Sequence, residues 1–371
     1  MRKFIAALTM VVLAGCAAKR GPSPEQLHRL HRQQKARRLF GKAINLIRKK
    51  EPDYYHAIKA LEDACALDPR FYEAYYDLGI LLARGGHPER AAEKLAAALR
   101  IRPFDRKATF NLADVYRRLG KPERGAELLE KFLHEHPDDV EARNNLVVLL
   151  RAAGKLDDAF HQARIILETH PRDPLAYNNL AILFSVRGEP SMAQQLFEQA
   201  LVIAPDNPQV LTNQALASWR EGEVARAIAL LGRALAKKPG LERAGLNLGA
   251  IYLECADWPK AAAVYRQVAR YNPGTVNALI GLAVAERAMG HIDAAESAYR
   301  QVLGLDQQNP AALYNLGVLY WEDRKRPDWA CEAFQRFLDN PSATSSWKKR
   351  AEKAIEEIRL THAGACKEAG K

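Results

Sequence analysis

Cysteine is the residue type in this chain best suited to covalent or metal chemistry, and five are present. Cys16 follows an apolar N-terminal stretch, and the other four are Cys65, Cys255, Cys331 and Cys366. These four form no C-x-x-C pair and have no histidine at a spacing suited to zinc, so neither a redox site nor a metal site is indicated. We interpret Cys65, Cys255 and Cys331 as buried free thiols.

The histidines do not form a catalytic pattern either. The closest pairs, His28 with His31 and His134 with His136, fall in loops or on polar helix faces. The sequence also lacks the H-E-x-x-H, G-x-S-x-G, phosphate-loop and dinucleotide-binding motifs. We therefore expect a protein that is not an enzyme, with no catalytic residues, no bound metal, no cofactor and no small-molecule substrate.

The first 15 residues have the features of an export signal. Arg2 and Lys3 precede an apolar stretch from Phe4 to Leu13 that is broken only by Thr9. A stretch of this length is too short to span a bilayer, which takes about 20 residues as a helix. We interpret residues 1–15 as a signal peptide that is removed on export.

The residues that end this segment resemble the lipobox of bacterial lipoproteins. Leu13, Ala14 and Gly15 precede Cys16, and Ala17 follows it. The resemblance implies that Cys16 is acylated and becomes the first residue of the mature protein. In a Gram-negative cell, an alanine after the lipidated cysteine implies a lipid-anchored protein of the outer membrane that faces the periplasm.

The net charge of +11 is concentrated near the N-terminus. Residues 17–50 contain eleven Lys or Arg and a single acid, Glu25, whereas residues 51–371 contain 42 basic and 43 acidic residues. This distribution does not indicate nucleic-acid binding by the main body. We assign residues 16–37 to a lipid anchor and a basic linker or helix, which we expect to be attracted to anionic phospholipid.

The rest of the sequence repeats every 34 residues. The repeating prolines are Pro69, Pro103, Pro137, Pro171, Pro205, Pro239, Pro273 and Pro341, with Gln307 at the one gap. The glycines of the same period are Gly86, Gly120, Gly154, Gly188, Gly222 and Gly290, with Ala256 at the gap. Apolar residues recur at helical spacing between them, which predicts two amphipathic helices joined by a glycine turn and closed by a proline.

This pattern resembles the tetratricopeptide repeat family when the closing proline is numbered position 32. Position 8, where helices approach closely, is usually Gly or Ala, as in Gly79 and Ala113, and position 20 is usually Ala. The resemblance implies an all-α fold, a right-handed superhelical solenoid of antiparallel helix pairs. We assign residues 38–343 to nine repeats and residues 344–371 to a capping helix and a tail that we expect to be disordered.

Two departures from the repeat stand out. Gln214 and Ser218 occupy positions where Leu and Tyr are usual, which could mark a softer joint. The last repeat carries one extra residue, which we place around Pro327 and Trp329.

In this family the first helix of each repeat lines a concave groove, and position 6 faces it. The position-6 asparagines are Asn111, Asn145, Asn179, Asn213, Asn247 and Asn315. Because an amide both donates and accepts hydrogen bonds, we expect these side chains to face solvent in the free protein and to bind the backbone of an extended peptide. Asparagine is also common at position 6 as family background, and the sequence leaves that alternative open.

Position 12 supplies further candidates for binding a protein partner. It holds Trp219, Trp321, Arg117 and Arg151, and Trp and Arg are the residue types that most often anchor interfaces. The resemblance to envelope lipoproteins of this family favours a scaffold that assists assembly of a pilus, secretion or gliding-motility complex. The alternatives are a subunit of a polysaccharide export apparatus and a recruiter of cell-wall enzymes.

Overall fold

The computed structural model describes residues 23–49, 51–341, 343–362 and 364–366. The predicted signal peptide and Cys16 lie outside these residues. Within the described part of the chain there are 19 α-helices and one π-helical turn, and no strand. The all-α prediction is confirmed.

The helices form two compact units, and the division falls inside α8, between Ile166 and Leu167. The helices up to this division are α1 (Pro24–Ile47), α2 (Tyr54–Leu67), α3 (Tyr72–Arg84), α4 (Pro88–Ile101), α5 (Arg106–Arg118), α6 (Pro122–Glu135), α7 (Val140–Ala152) and α8 (Leu156–Thr169). Helix α1 runs without a break through residue 38, where we predicted that the first repeat begins.

The second unit continues the pattern. Its helices are α9 (Pro174–Arg187), α10 (Pro190–Ile203), α11 (Pro208–Arg220), α12 (Val224–Lys237), α13 (Glu242–Glu254), α14 (Trp258–Tyr271), α15 (Val276–Ala288), α16 (Ile292–Leu305), α17 (Pro310–Val318), α18 (Pro327–Leu338) and α19 (Ser345–Thr361). Consecutive helices pack against one another from α1 to α7 and from α9 to α19, and the two helices of a repeat form a hairpin.

In the hairpins from α3–α4 to α15–α16, the turn contains a residue with positive φ. Gly86 and Gly222, for example, have φ of 79° and 82°, values that cost glycine little because it has no Cβ. Ala256, which stands at the one gap in the glycine series, adopts the same backbone with φ of 55°. The predicted glycine turns are therefore confirmed, and the hairpin geometry forces even alanine into the left-handed region.

The helices of a hairpin approach closely at position 8. A Cβ on Gly249 would lie 2.5 Å from the ring of Tyr265, which is 5% exposed between the two helices. A Cβ on Gly317 would lie 2.6 Å from the ring of Phe334. Small residues on one helix thus admit large side chains from the other, which produces the dense packing that stabilises a hairpin.

The extra residue of the last repeat is absorbed inside its first helix, not around Pro327 and Trp329 as predicted. Leu319–Asp323 form a π-helical turn that continues α17. A π turn accommodates one additional residue without ending the helix. Helix α18 therefore begins one residue later than the 34-residue period requires.

The cysteine predictions are wrong for two of the three residues. Cys331 forms a disulfide with Cys366, with 5.4 Å between their Cα atoms. Cys255 is exposed, whereas Cys65 is buried and free, as predicted. The disulfide attaches Cys366, which we placed in a disordered tail, to helix α18 across the end of the array.

Helix α19 covers the last hairpin. Its buried residues Ala351, Ile355 and Ile358 join the same apolar cluster as Phe334 and Phe337 of α18. The open apolar edge of the final repeat is therefore closed by an amphipathic helix. None of the described helices combines the length and apolar character needed to cross a bilayer.

Candidate protein-binding surface

The first helices of successive repeats contact one another within each unit and share an exposed stripe. In the first unit α3 contacts α5, and α5 contacts α7; in the second, α11 contacts both α9 and α13. Position 9 of this stripe is half-buried and apolar at Ile80, Val148, Ile182, Leu216, Val284 and Val318. Each unit therefore presents apolar side chains in partial contact with solvent, a property of protein-binding surfaces.

Some position-6 asparagines join neighbouring repeats. The Nδ2 atom of Asn213 donates a hydrogen bond of 2.9 Å to Oδ1 of Asn178, and Nδ2 of Asn111 donates one of 3.1 Å to the hydroxyl of Tyr76. Asn111 also donates to the carbonyl of Lys107 at 2.8 Å. In both repeats the acceptor is the position-5 side chain of the preceding repeat.

We expected the position-6 asparagines to face solvent, but Asn179 does not. Its side chain is only 6% exposed, and the neighbouring Asn178 is 5% exposed. Because a buried amide must be hydrogen-bonded to avoid a large desolvation cost, Asn179 is part of the packing of its repeat. The amide of Asn179 is therefore not accessible for the binding role that we predicted.

The other three position-6 asparagines have free amides. Asn145, Asn247 and Asn315 are half-buried, and none has a side-chain hydrogen bond to another described residue. In two repeats the position-5 residue of the preceding repeat explains the free amide. Phe110 precedes Asn145 and Ile280 precedes Asn315, and neither side chain can accept a hydrogen bond. Each free amide retains two donors and an acceptor for a ligand.

Thr212 is the position-5 residue that precedes Asn247. Its hydroxyl donates to the carbonyl of Pro208 at 2.6 Å, and the side chain is 2% exposed. The hydroxyl forms no hydrogen bond with Asn247, so that amide remains unpaired although a polar group precedes it.

The position-12 residues are engaged within the protein. Trp219 is half-buried against the apolar core of its hairpin, and the ring of Trp321 packs edge-on against His362 with 5.5 Å between ring centroids. Arg117 forms an ion pair of 2.6 Å with Asp114. Arg151 is half-buried and interacts with other groups of the protein. These contacts favour structural roles for position 12.

A pocket that the sequence did not reveal lies between α17, α18 and α19. Its volume is about 280 Å³, and it is lined by Pro310, Ala311, Tyr314, Asn315, Phe337, Ala343, Thr344 and Trp347. We call it the aromatic pocket. The ring of Tyr314 meets Trp347 edge-on with 4.5 Å between centroids, and Trp347 is 44% exposed.

The aromatic pocket combines an apolar cavity with one free amide. Asn315 lies at position 6 on its wall, and the guanidinium of Arg350 lies 5.2 Å above the Trp347 ring. The volume suits one large side chain, whereas Asn315 can hydrogen-bond the backbone beside it. The sequence signal for this pocket is an aromatic residue, Trp347, in the first turn of the capping helix.

The stripe of the first unit also contains an acid. Asp77 stands at position 6 of its repeat, one turn after Glu73. Burial, and then the negative charge of Glu73, raise the pKa of Asp77 above its ordinary value. Position 6 is therefore not uniformly asparagine.

In the part of the chain that the structure describes, no group of three or more His, Cys, Asp or Glu is placed to hold a metal ion.

The repeat pattern agrees with comparisons with known families. A family model described as tetratricopeptide repeat matches residues 53–106, 110–174, 148–208, 178–242 and 280–343, and a second model of that description matches residues 218–282. The chain belongs to the tetratricopeptide repeat family. Proteins of this family are typically non-enzymatic scaffolds, and the fold indicates a scaffold for protein–protein interaction. A search of curated proteins finds no match.

Solved structures of tetratricopeptide repeat proteins resemble this chain in fold. A tetratricopeptide repeat protein from Parabacteroides merdae is 20% identical, with a TM-score of 0.53, over 68% of this chain and 99% of its own. PilF from Pseudomonas aeruginosa is 22% identical, with a TM-score of 0.48, over 57% of this chain and 96% of its own. Yeast Tom70 is 14% identical, with a TM-score of 0.44, over 88% of this chain and 96% of its own.

Proposed function

We propose that this tetratricopeptide repeat protein is a lipoprotein of the outer membrane that faces the periplasm. Its proposed role is to hold an extended segment of a protein partner during assembly of an envelope machine. The observation that carries the proposal is the aromatic pocket beside the free amide of Asn315. One side chain of the partner would enter the pocket, and its backbone would bind Asn315. Asn247 offers a second unpaired amide in the same unit.

This mode of binding divides affinity between two kinds of contact. An aromatic or large aliphatic side chain gains apolar contact in the pocket, where the Tyr314 and Trp347 rings already lie edge-to-face. Asparagine amides bind any peptide backbone, because donor and acceptor match its carbonyl and N–H groups. A scaffold of this kind selects a partner by one anchoring residue and tolerates variation around it.

Two features support the proposed location. The Leu13 to Cys16 segment has the lipobox pattern, and the Cys331–Cys366 disulfide is of the kind that persists in oxidising compartments such as the periplasm.

Metabolic labelling with a fatty-acid analogue tests the anchor. The natural protein should take up the label and the Cys16→Ser protein should not, since a serine hydroxyl does not replace the acylated thiol. Label on the Cys16→Ser protein would contradict lipidation at this residue.

Site-specific photocrosslinking in cells tests the binding site. A benzophenone amino acid at Ala311, which is exposed in the wall of the aromatic pocket, should crosslink one envelope protein of defined size. The same probe at Ala236, exposed on α12, is the matched control and should not. Trp347→Ala should abolish the product from position 311. Equal crosslinking from both positions, or a product that survives Trp347→Ala, would contradict the proposed site.

A further inference from the structure

Helix α1 extends beyond the helix it packs against. It contains 24 residues, whereas α2 contains 14. Nη2 of Arg32 donates to the carbonyl of Ala66 at 3.2 Å, next to the end of α2 at Leu67. The residues of α1 before Arg32 therefore lie beside the turn that follows α2, with a cavity of about 490 Å³ between them.

The outer side of this extension is apolar where a solvated helix would be polar. Leu27 and Leu30 are 53% and 47% exposed. Their spacing places them on one face with Gln34 and Arg38, opposite the buried side of α1 that includes Ala36. We call the face formed by Leu27, Leu30, Gln34, Arg37 and Arg38 the outer face of α1.

The charges of α1 are not compensated by the protein. Its basic residues are Arg29, Arg32, Lys35, Arg37, Arg38 and Lys42, and its one acid is Glu25. Within the described residues none of these six forms an ion pair with a carboxylate. Arginines of later repeats commonly do, as in the pairs of Arg102 with Glu73 and of Arg106 with Asp139. A set of unpaired cations on one helix attracts an anionic surface.

We propose that the outer face of α1 docks on the surface of an anionic lipid bilayer. Leu27 and Leu30 enter the headgroup layer, and Arg37, Arg38 and the flanking cations bind lipid phosphates. This inference deepens the proposed function and rests on it, because it takes Cys16 as the lipid anchor. A fully extended chain would place Leu27 within about 40 Å of that anchor. Two exposed leucines match a bilayer, whereas a nucleic-acid backbone offers them no apolar contact.

The test uses the mature lipoprotein reconstituted into vesicles, with an environment-sensitive fluorophore attached at Leu30→Cys in a Cys255→Ser background. One set of vesicles contains phosphatidylcholine alone, and the other an equimolar mixture with phosphatidylglycerol. On the mixed vesicles the emission should shift to the blue, and a soluble quencher should lose access to the probe. Added salt should reverse both changes. The same probe at Val202→Cys, a residue 73% exposed on α10, is the control and should remain accessible on both.

Replacing Arg37 and Arg38 by glutamine should lower the ratio of docked to undocked protein roughly 30-fold, since each cation near an anionic surface contributes about fivefold. Equal quenching of position 30 on both vesicles would overturn the proposal. A shift caused by a DNA duplex but not by anionic vesicles would also overturn it, in favour of nucleic acid. Flotation with neutral vesicles reports the lipid anchor separately, so failure of the anchor and failure of docking are distinguishable.

Discussion

The amide of Asn213 donates a 2.9 Å hydrogen bond to Oδ1 of Asn178, the residue at position 5 of the preceding repeat. Asn178 is 5% exposed, so the bond satisfies an acceptor that has little access to water. The same residue type at position 6 is unpaired at Asn247. Position 6 thus serves two purposes in this chain, joining repeats in some places and leaving an amide available in others.

Substituting these two asparagines separates the two purposes. Asn213→Ala should destabilise the second unit by about 1–3 kcal/mol, because it leaves the buried Oδ1 of Asn178 without a donor. Asn247→Ala, the matched control, should leave stability unchanged or slightly higher, because alanine is the better helix former. Thermal melting and hydrogen exchange of α9 and α11 measure the difference. Equal losses in both variants would contradict the division.

Gln214 is a polar residue inside an apolar hairpin. Its side chain is 4% exposed, and its Oε1 atom has no hydrogen-bond partner in the described part of the chain. Leu248 occupies the same position in the next repeat and is 5% exposed. Gln214→Leu should therefore stabilise the protein by about 1–3 kcal/mol, by removing a buried unpaired carbonyl.

The reverse substitution is the control for Gln214. Leu248→Gln should lower the melting temperature, since it buries an amide where the natural repeat packs leucine. A decrease in melting temperature for Gln214→Leu would show instead that the amide is needed in its repeat.

The fold followed from the sequence because the repeat fixes both the spacing and the chemistry of each turn. Ala256 could be assigned to the glycine series by period alone, and its φ of 55° agrees. The extra residue of the last repeat could be counted but not located, because the chain absorbed it at Leu319–Asp323 before the predicted point. Helices tolerate a one-residue insertion as a π turn, and no residue type marks where that occurs.

The site was predicted less completely, because exposure depends on contacts between repeats. Asn111 and Asn145 are equivalent in the sequence, but Tyr76 accepts a hydrogen bond from the former, whereas Phe110 precedes the latter. Reading position 5 together with position 6 would have distinguished them. The pairing of Cys331 with Cys366 brings together residues separated by 35 positions, which cysteine spacing alone does not determine.

The disulfide should hold the capping helix in place. It closes a loop of 35 residues, which by the chain-entropy relation contributes roughly 4 kcal/mol. Reduction, or Cys366→Ser, should lower the protection of α19 amides from hydrogen exchange and loosen Trp347 in the wall of the aromatic pocket. Cys255→Ser, which removes an exposed free thiol, is the control and should change neither. Unchanged exchange of α19 after reduction would contradict this role.

Acid should weaken the third repeat through Asp139. Burial alone would raise the pKa of Asp139, but the hydrogen bonds from Arg106 and the Ala142 backbone amide together hold it below its ordinary value of 3.8. A carboxylate with a lowered folded pKa stabilises the protein fully above its unfolded pKa, and this contribution is lost as the pH falls through the folded value. We expect the loss below about pH 4.

Replacing the carboxylate should remove this acid sensitivity. Asp139→Asn should lower stability at neutral pH and flatten its decline below about pH 4. Asp138→Asn, at the exposed neighbouring residue, should retain the natural profile. The measurement is the melting temperature as a function of pH. Identical profiles for the natural protein and Asp139→Asn would show that the pair with Arg106 contributes nothing to acid stability.

The most direct test of the account pairs peptide binding with melting. Peptides selected from a random phage library on the natural protein serve as the ligand, and each variant is measured for affinity and thermal midpoint. Asn315→Ala should lower affinity about tenfold at an unchanged midpoint, because its amide is free in the unbound protein. Asn213→Ala should lower the midpoint and leave affinity unchanged. Undiminished binding by Asn315→Ala and by Trp347→Ala would contradict the account, because the partner would then bind elsewhere on the repeats.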